Sequence, residues 1–340
     1  MPKLAFSHPE PPRSRRRLWP VFLPQAGCPH RCLFCDQSAQ TGAEPADPGD
    51  VLEILACRLE NAAARGEEPF EVGFYGGTFT ALPDGWPGRF LDLLRPYRAA
   101  GLVLGARCST RPDAVSLDGL LDLKARGLDL VELGIQSFDD GALAASGRGY
   151  SGATALEGCG TVRAAGLGLG VQLLPGLPGD RPGLFRRDVA VTARLRPDCA
   201  RLYPCLVLEG TGLARLWRRG EYAAWSAGRA RAELSVALTR LWRAGVPVIR
   251  LGVAPEAGLS VRILAGPAHP ALGQQVRSLA LWDHVRRMAA RLGRAPRGLL
   301  LPPRAAGEFW GQRRSLARAY ARLGLRADNV RPGGPDFVLE

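Results

Sequence analysis

The sequence lacks an apolar run of eighteen residues, so it predicts no membrane span. The apolar stretch that follows its basic N-terminus is short and is interrupted by Pro20 and Pro24, unlike a secretory signal. It contains no internal repeat and no low-complexity linker. We therefore expect a cytoplasmic protein whose 340 residues can bury one large core and form a smaller appendage.

The middle of the chain has little net charge. Of the formal +13, residues 1–17 supply +4 and residues 277–331 supply +10, the latter from thirteen arginines against Asp283, Glu308 and Asp328. Such segregation is typical of a surface that binds a polyanion. We expect a basic N-terminal arm (1–17), a catalytic domain (18–252) and a basic C-terminal α/β subdomain (253–340). We also predict one helix that places several of Arg313, Arg314, Arg318 and Arg322 on one face.

Short β-like runs alternate with amphipathic segments through the first 252 residues. The predicted strands are 18–23, 71–75, 102–108, 130–135, 169–174 and 201–205, with a further strand at 246–251. The predicted helices between them include 51–64, 117–126, 153–165 and 184–195. This order favours an α/β fold, a partial TIM-like (β/α)6 barrel with parallel strands and its chemistry on the loops that follow the strands.

Three of the eight cysteines, Cys28, Cys32 and Cys35, lie within eight residues directly after the first predicted strand. In a reducing compartment this spacing indicates a metal site rather than disulfides. Three thiolates can hold three irons of a cubane cluster and leave the fourth iron open. Structural zinc is the competing interpretation, but it normally needs four ligands, and neither a second cysteine pair nor a suitably spaced histidine supplies the fourth. The five remaining cysteines are expected to be small buried apolar residues.

Polar or glycine-rich segments follow other predicted strands. Gly76, Gly77 and Thr78 follow the second, and glycines allow a backbone to approach a ligand closely. Gln136 ends the fourth, and Arg148 follows twelve residues later, so that a guanidinium could meet a carboxylate. Taken singly, these segments are equally consistent with a tight turn and a surface arginine.

Taken together, the cysteine spacing, with Phe34 before the last cysteine, resembles the signature of the radical S-adenosylmethionine (SAM) superfamily. The resemblance implies a [4Fe-4S] cluster on Cys28, Cys32 and Cys35. It also implies that SAM binds the open iron and is cleaved, with one electron from a low-potential donor, to a 5′-deoxyadenosyl radical. The cofactor-binding residues that it implies are Phe22, Phe34, Gly76, Gly77, Thr78, Ser109, Glu132, Gln136, Arg148 and Gln172. At Ser109 the chain departs from the pattern, because relatives often have a glutamate there, and a hydroxyl brings no charge.

Residues 18–250 also resemble the radical SAM domain of the Elongator catalytic subunit, whose group acts on wobble uridine in transfer RNA. That group carries an acetyltransferase domain, and no Gly-rich acetyl-CoA loop occurs here. The tail, with Gly266-Pro-Ala-His269-Pro, resembles smaller stand-alone relatives. The resemblance and the basic tail together predict a radical enzyme that acts on RNA. The alternatives are a radical enzyme for a small anionic molecule such as a porphyrin precursor, and a non-catalytic iron–sulfur protein that binds RNA.

Overall fold

The fold is taken from a computed structural model that describes residues 3–12, 16–42, 44–253 and 258–340. Arg13 and Arg15 of the predicted basic arm, and residues 254–257 near the start of the predicted C-terminal subdomain, lie outside these ranges. Within them, no helix is long and apolar enough to cross a membrane.

Strands and helices alternate along most of the chain. The strands are β1 (Leu4–Phe6), β2 (Arg17–Phe22), β3 (Phe70–Tyr75), β4 (Val103–Thr110), β5 (Leu130–Gln136), β6 (Gly168–Leu173), β7 (Cys199–Leu202), β8 (Val207–Leu208), β9 (Val248–Leu251), β10 (Ile263–Ala265), β11 (Leu299–Leu301), β12 (Val330–Pro332) and β13 (Phe337–Leu339). The helices are α1 (Gln37–Thr41), α2 (Pro48–Ala64), α3 (Trp86–Ala99), α4 (Leu117–Ala125), α5 (Asp140–Ala145), α6 (Gly152–Ala164), α7 (Leu184–Leu195), α8 (Gly212–Arg218), α9 (Ala227–Arg243), α10 (Leu259–Arg262), α11 (Leu272–Arg291), α12 (Ala306–Trp310) and α13 (Ala317–Ala321).

Seven parallel strands form the main sheet, in the order β2-β3-β4-β5-β6-β7-β9. The order follows the sequence, so each strand pairs with the next one in the series through a helical crossover, and the sheet curls into a half-barrel. Its strands are apolar and buried along most of their length because helices cover one face and the barrel interior the other. The predicted α/β partial barrel is confirmed. One strand differs: β7 ends at Leu202 rather than continuing to Cys205, and Pro204 has no N–H for a ladder.

A second sheet, ordered β1-β13-β11-β12, lies at the C-terminal end of the chain. Its edge strand comes from the predicted N-terminal arm, since Leu4 and Phe6 pair with Leu339 and Phe337. A separate apolar core beneath it includes Phe309, Tyr320 and Phe337. Helix α11 joins the two regions, because it packs on α9 and β9 of the barrel at its start and contributes to this core farther along.

The single helix expected across Arg313 to Arg322 does not form. Arg313 and Arg314 have φ of 51° and 57°, in the left-handed region, and a tight turn at Gln312–Arg314 precedes the five-residue α13. The prediction was wrong because Gly311, with φ 72° and ψ 168°, ends α12 and redirects the chain. Arg313, Arg314, Arg318 and Arg322 are nevertheless all exposed.

Candidate functional site: a thiol-lined cavity in the barrel

A cavity of about 510 Å³ opens at the carboxyl ends of the barrel strands; we call it the barrel cavity. All three clustered cysteines line it. So do nine of the ten residues that the sequence suggested for cofactor binding: Phe22, Phe34, Gly76, Gly77, Thr78, Ser109, Gln136, Arg148 and Gln172. The tertiary structure thus brings together loops that are more than a hundred residues apart in the sequence.

The cysteines occupy the loop between β2 and α1. The backbone turns back twice there, with the Cys28 N–H donating to the Gln25 carbonyl at 3.1 Å and the Cys35 N–H to the Cys32 carbonyl at 3.0 Å. Sγ of Cys28 is 3.2 Å from Oγ1 of Thr78, and Nη1 of Arg148 donates to Sγ of the buried Cys32 at 3.2 Å. These contacts join the cysteine loop to two other loops of the site.

Burial, and then the charges of Cys32 and Cys28, raise the pKa of Cys35 to about 12. All three cysteines line the barrel cavity. In the described part of the chain, however, no three His, Cys, Asp or Glu side chains already stand as a closed metal-binding group. The donor set, three thiols on one loop at the edge of a polar cavity, fits an iron–sulfur cluster with one open iron better than zinc.

Gly76 and Gly77 lie where the loop after β3 meets the cysteine loop. Gly76 has φ +98°, and a Cβ on Gly77 would lie 2.3 Å from the Ala26 carbonyl oxygen. Instead, the Thr78 N–H donates to that same carbonyl at 2.8 Å. Close approach of backbone to backbone therefore explains Gly77, and the loop edge that results still lines the cavity.

Arg148 is the most firmly held of the cofactor candidates. Its Nη2 donates to the Gly134 carbonyl at 2.6 Å, its Nε donates to the Tyr150 hydroxyl at 3.0 Å, and only 6% of the residue is exposed. Nearby, Gln136 ends β5 with φ 65°, a conformation that non-glycine residues adopt at a cost in free energy. Across the cavity, Nε2 of Gln172 donates to the Ser109 hydroxyl at 3.1 Å.

Glu132 is the one predicted cofactor residue that does not line the cavity. It is fully buried, accepts a hydrogen bond from the Tyr75 hydroxyl at 2.9 Å and pairs with Arg201. Tyr75 and Arg201 themselves line the cavity. Glu132 thus lies behind the wall of the site and holds two of its side chains in position. Burial, and then the charge of Glu132, raise the pKa of Tyr75 well above its usual range.

Sequence reasoning missed several site residues. Tyr75 ends β3, and Arg201 lies in the otherwise apolar β7. An arginine in a buried strand is the signal that could have identified Arg201. It also missed the support beneath the loop after β5, where Asp188 accepts hydrogen bonds from the Ser137 hydroxyl at 2.8 Å and the Phe138 N–H at 2.9 Å. Burial raises the pKa of Asp188 to about 6.

Comparison with known proteins places this site in a family. The model of the radical SAM superfamily matches residues 22–186, and that of the Radical_SAM C-terminal domain matches residues 197–280. The chain is 29% identical over 244 residues to the tRNA uridine(34) acetyltransferase of Methanocaldococcus infernus, covering 59% of this chain and 45% of that protein. It is 29% identical over 245 residues to human Elongator complex protein 3, covering 58% and 44%. The chain thus matches less than half the length of these relatives.

Solved structures share the fold. The archaeal Methanocaldococcus infernus Elp3 lacking residues 1–46 superposes with a TM-score of 0.59 and 21% identity, over 81% of this chain and 64% of that one. Coproporphyrinogen III oxidase (HemN) from Escherichia coli superposes with a TM-score of 0.52 and 20% identity, over 70% and 54%. With the two family models matching the barrel and the segment after it, the chain belongs to the radical SAM superfamily of enzymes.

Proposed function

We propose that the protein holds a [4Fe-4S] cluster on Cys28, Cys32 and Cys35, binds SAM in the barrel cavity, and modifies RNA, most specifically transfer RNA. The observation that carries the chemistry is the convergence of the three thiols with the glycine pair, Gln136 and Arg148 on one cavity. When bound, the cluster and SAM supply a 5′-deoxyadenosyl radical for hydrogen abstraction from the substrate.

The residues of this chain have distinct roles in that proposal. Arg148 is buried and positioned by Gly134 and Tyr150, so it can donate to an anion in the cavity with little loss of side-chain entropy. The hydroxyl of Thr78 and the backbone of Gly76 and Gly77 offer polar contacts beside the cluster loop. Ser109 and Gln172 offer neutral hydrogen bonds from the opposite side.

Two observations support RNA as the substrate. Relatives that match residues of the barrel are named for tRNA uridine(34) and for Elongator. Independently, residues 277–331 carry a net charge of +10 while the middle of the chain is near neutral. A concentrated positive charge attracts polyanions and releases counterions from nucleic acid on binding.

The cluster is tested by anaerobic reconstitution of the whole chain and of two single variants. Cys32→Ala should lose the cluster, because three thiolates are all that the loop provides, whereas Cys57→Ala should retain it. Cys57 is exposed on α2 and is a matched control for loss of one thiol. Iron and sulfide analysis with electron paramagnetic resonance gives the readout. Stoichiometric zinc in the parent, or an intact cluster in Cys32→Ala, would refute the assignment.

Catalysis is tested by measuring 5′-deoxyadenosine under dithionite as the low-potential electron donor. Slow release is expected without substrate, and RNA should change the rate and yield a modified nucleoside detectable by mass analysis of digested RNA. An intact, reduced cluster with no 5′-deoxyadenosine would instead favour a non-catalytic iron–sulfur protein that binds RNA.

A small anionic substrate is a second candidate, favoured by Arg250. This exposed arginine lines the barrel cavity, and its side chain has no hydrogen-bond or ion-pair partner among the described residues. None of the arginines between 277 and 331 lines that cavity, so they would not serve such a substrate. Stimulation of 5′-deoxyadenosine release by a porphyrin precursor, with no effect of RNA, would select this candidate over RNA.

A further inference from the structure

A second cavity, of about 570 Å³, lies outside the barrel between the start of α9, the start of α11 and the turn after α12; we call it the lateral cavity. Its lining residues are Gly228, Arg231, Ala232, His269, Gln275, Ser278, Leu279, Gln312, Arg313, Ser315 and Leu316. Among them are two arginines, a histidine and two amides, and no carboxylate. The composition is that of a site for an anion.

The polar groups of the lateral cavity form a connected network. Nε2 of Gln275 donates to Oε1 of Gln312 at 2.7 Å and lies 3.4 Å from Nε2 of His269. Nη1 of Arg231 reaches Oε1 of Gln275 at 3.5 Å. Nδ1 of His269 accepts from the Ala271 N–H at 3.0 Å, which fixes the imidazole at the start of α11. Three separate elements are thereby held around one space.

Two features of this cavity are left without a partner. Ser278 is 98% buried and lines the cavity, yet its hydroxyl has no hydrogen-bond partner in the described structure. Arg313 is exposed, and its side chain forms no ion pair or hydrogen bond with the described residues. A buried hydroxyl without a partner is costly, so a ligand that accepts a hydrogen bond from it would remove that cost.

The backbone that carries Arg313 is held in an unfavourable conformation. Arg313 and Arg314 are consecutive non-glycine residues in the left-handed region. The turn is closed by the Arg314 N–H donating to the Gly311 carbonyl at 3.0 Å and by the Ser315 N–H donating to Gln312 at 3.1 Å. Arg314 stacks on Trp310, with its guanidinium carbon 5.6 Å from the ring, while Arg313 faces the cavity. Such strain is typical of ligand-binding turns.

The lateral cavity lies on the same edge of the barrel as the cysteines. Helices that follow parallel strands begin at the carboxyl edge of the sheet, and α9 and α11 flank β9. The start of α11 is close to the end of β9, since a Cβ on Gly273 would lie 3.0 Å from the Leu251 carbonyl oxygen. A ligand that spans this edge could therefore occupy both cavities.

We propose that the lateral cavity binds a phosphate group through Arg231, Arg313 and the Ser278 hydroxyl. The phosphate could belong to an RNA strand whose target base enters the barrel cavity, in which case the inference rests on the proposed function, or to a free phosphorylated compound. The shared chemistry is a tetrahedral anion that accepts several hydrogen bonds at once.

The test compares the reconstituted whole chain with the double variant Arg231→Gln/Arg313→Gln and with Arg65→Gln. Arg65 is an exposed arginine that follows α2, at the opposite edge of the barrel, and controls for loss of positive charge. Affinity for tRNA is measured at several salt concentrations without reductant, and binding of inorganic phosphate is measured by calorimetry.

If RNA is the source, the double variant should bind tRNA about tenfold more weakly. The slope of log affinity against log salt concentration should also become shallower by roughly 0.7–0.9, as expected for the loss of one phosphate contact. Arg65→Gln should keep the parent's slope to within a fraction of that change. If a free compound is the source, inorganic phosphate should bind the parent but not the double variant, with tRNA affinity unchanged. The proposal is overturned if the double variant matches Arg65→Gln in both measurements.

A second variant separates a loss of binding from a loss of stability. Ser278→Ala removes a hydroxyl that has no partner, so the free energy of unfolding should not decrease. Its affinity should fall about fivefold for whichever ligand, tRNA or inorganic phosphate, binds the double variant more weakly than the parent. Unchanged affinity in this variant would remove Ser278 from the site. All of these readouts are independent of turnover. If RNA does not stimulate 5′-deoxyadenosine release by the parent, but the parent binds inorganic phosphate and the double variant does not, the proposed function is refuted and the phosphate site in the lateral cavity stands.

Discussion

Three arginines that line the barrel cavity are held very differently from several exposed arginines of the C-terminal region. Arg111 donates to Asp113 and to the Arg148 carbonyl, Arg148 donates to Gly134, and Arg201 pairs with Glu132. By contrast, the exposed arginines of the tail include several with no ion-pair partner among the residues that the structure describes: Arg313, Arg318, Arg322 and Arg326.

This difference separates two uses of the same side chain. A buried, paired guanidinium has a fixed geometry and a charge that is neutralised locally, so it can shape a cofactor cavity. An exposed guanidinium without a partner contributes little to stability, but its charge extends over about a Debye length into solvent and attracts anions. Residues 277–331 therefore keep a net charge of +10, whereas the middle of the chain is near neutral.

Disrupting the ion pair between Glu132 and Arg201 should have the largest effect on stability. Glu132→Ala leaves the Arg201 guanidinium buried without its carboxylate, which typically costs about 3–5 kcal/mol. We expect the free energy of unfolding, measured with urea, to fall by that amount. Asp122→Asn is the control, because the Asp122–Arg126 pair is exposed and should contribute less than about 1 kcal/mol. Equal effects of the two variants would contradict the comparison.

Asp188 should make stability depend on pH. Burial raises its pKa to about 6 in the folded protein, whereas an unfolded aspartate titrates near 3.9. The folded state therefore favours the protonated carboxyl, so this contribution to stability is complete below about pH 4 and is lost as the pH rises to about 6. Relative to Asp188→Asn, the parent should lose about 2–3 kcal/mol across that window. A constant difference between parent and variant from pH 4 to 7 would show that Asp188 has no such coupling.

Arg148→Ala should weaken SAM binding while the cluster is retained. Loss of a charge-assisted hydrogen bond predicts roughly a tenfold increase in Kd, or about 1.4 kcal/mol. Titration of SAM into the reconstituted variant checks this, with iron content as the control for the cluster. Unchanged affinity would assign Arg148 a structural role only, holding the Gly134 and Tyr150 loops.

The smallest effect is expected for a single exposed arginine of the C-terminal region. Arg318→Gln removes one exposed charge on α13 that lines neither cavity. It should lower affinity for tRNA by less than about threefold at moderate salt, because an isolated exposed charge is well screened. A tenfold loss would show that the RNA-binding surface extends beyond the lateral cavity to α13.

Much of the barrel could be predicted from the sequence. Parallel strands that are buried on both faces appear as short apolar runs, and the motifs after them mark the carboxyl edge of the sheet, which is why nine of ten suggested cofactor residues share one cavity. The helix expected across Arg313 failed because one glycine with a non-helical conformation outweighed a favourable arginine spacing. Glu132 was placed on the right strand, but its side chain packs behind the wall rather than into the site.

By itself, the sequence determined which residues could carry cluster and cofactor chemistry, because thiol spacing and strand-loop order are local properties of the chain. Only the tertiary structure determined that Glu132 pairs with Arg201, 69 residues later, and that Leu4–Phe6 completes a sheet with Phe337–Leu339. It alone joined His269, Gln275 and Gln312 around one cavity. Contacts of this kind depend on how distant segments pack, and no periodicity along the chain encodes which of them meet.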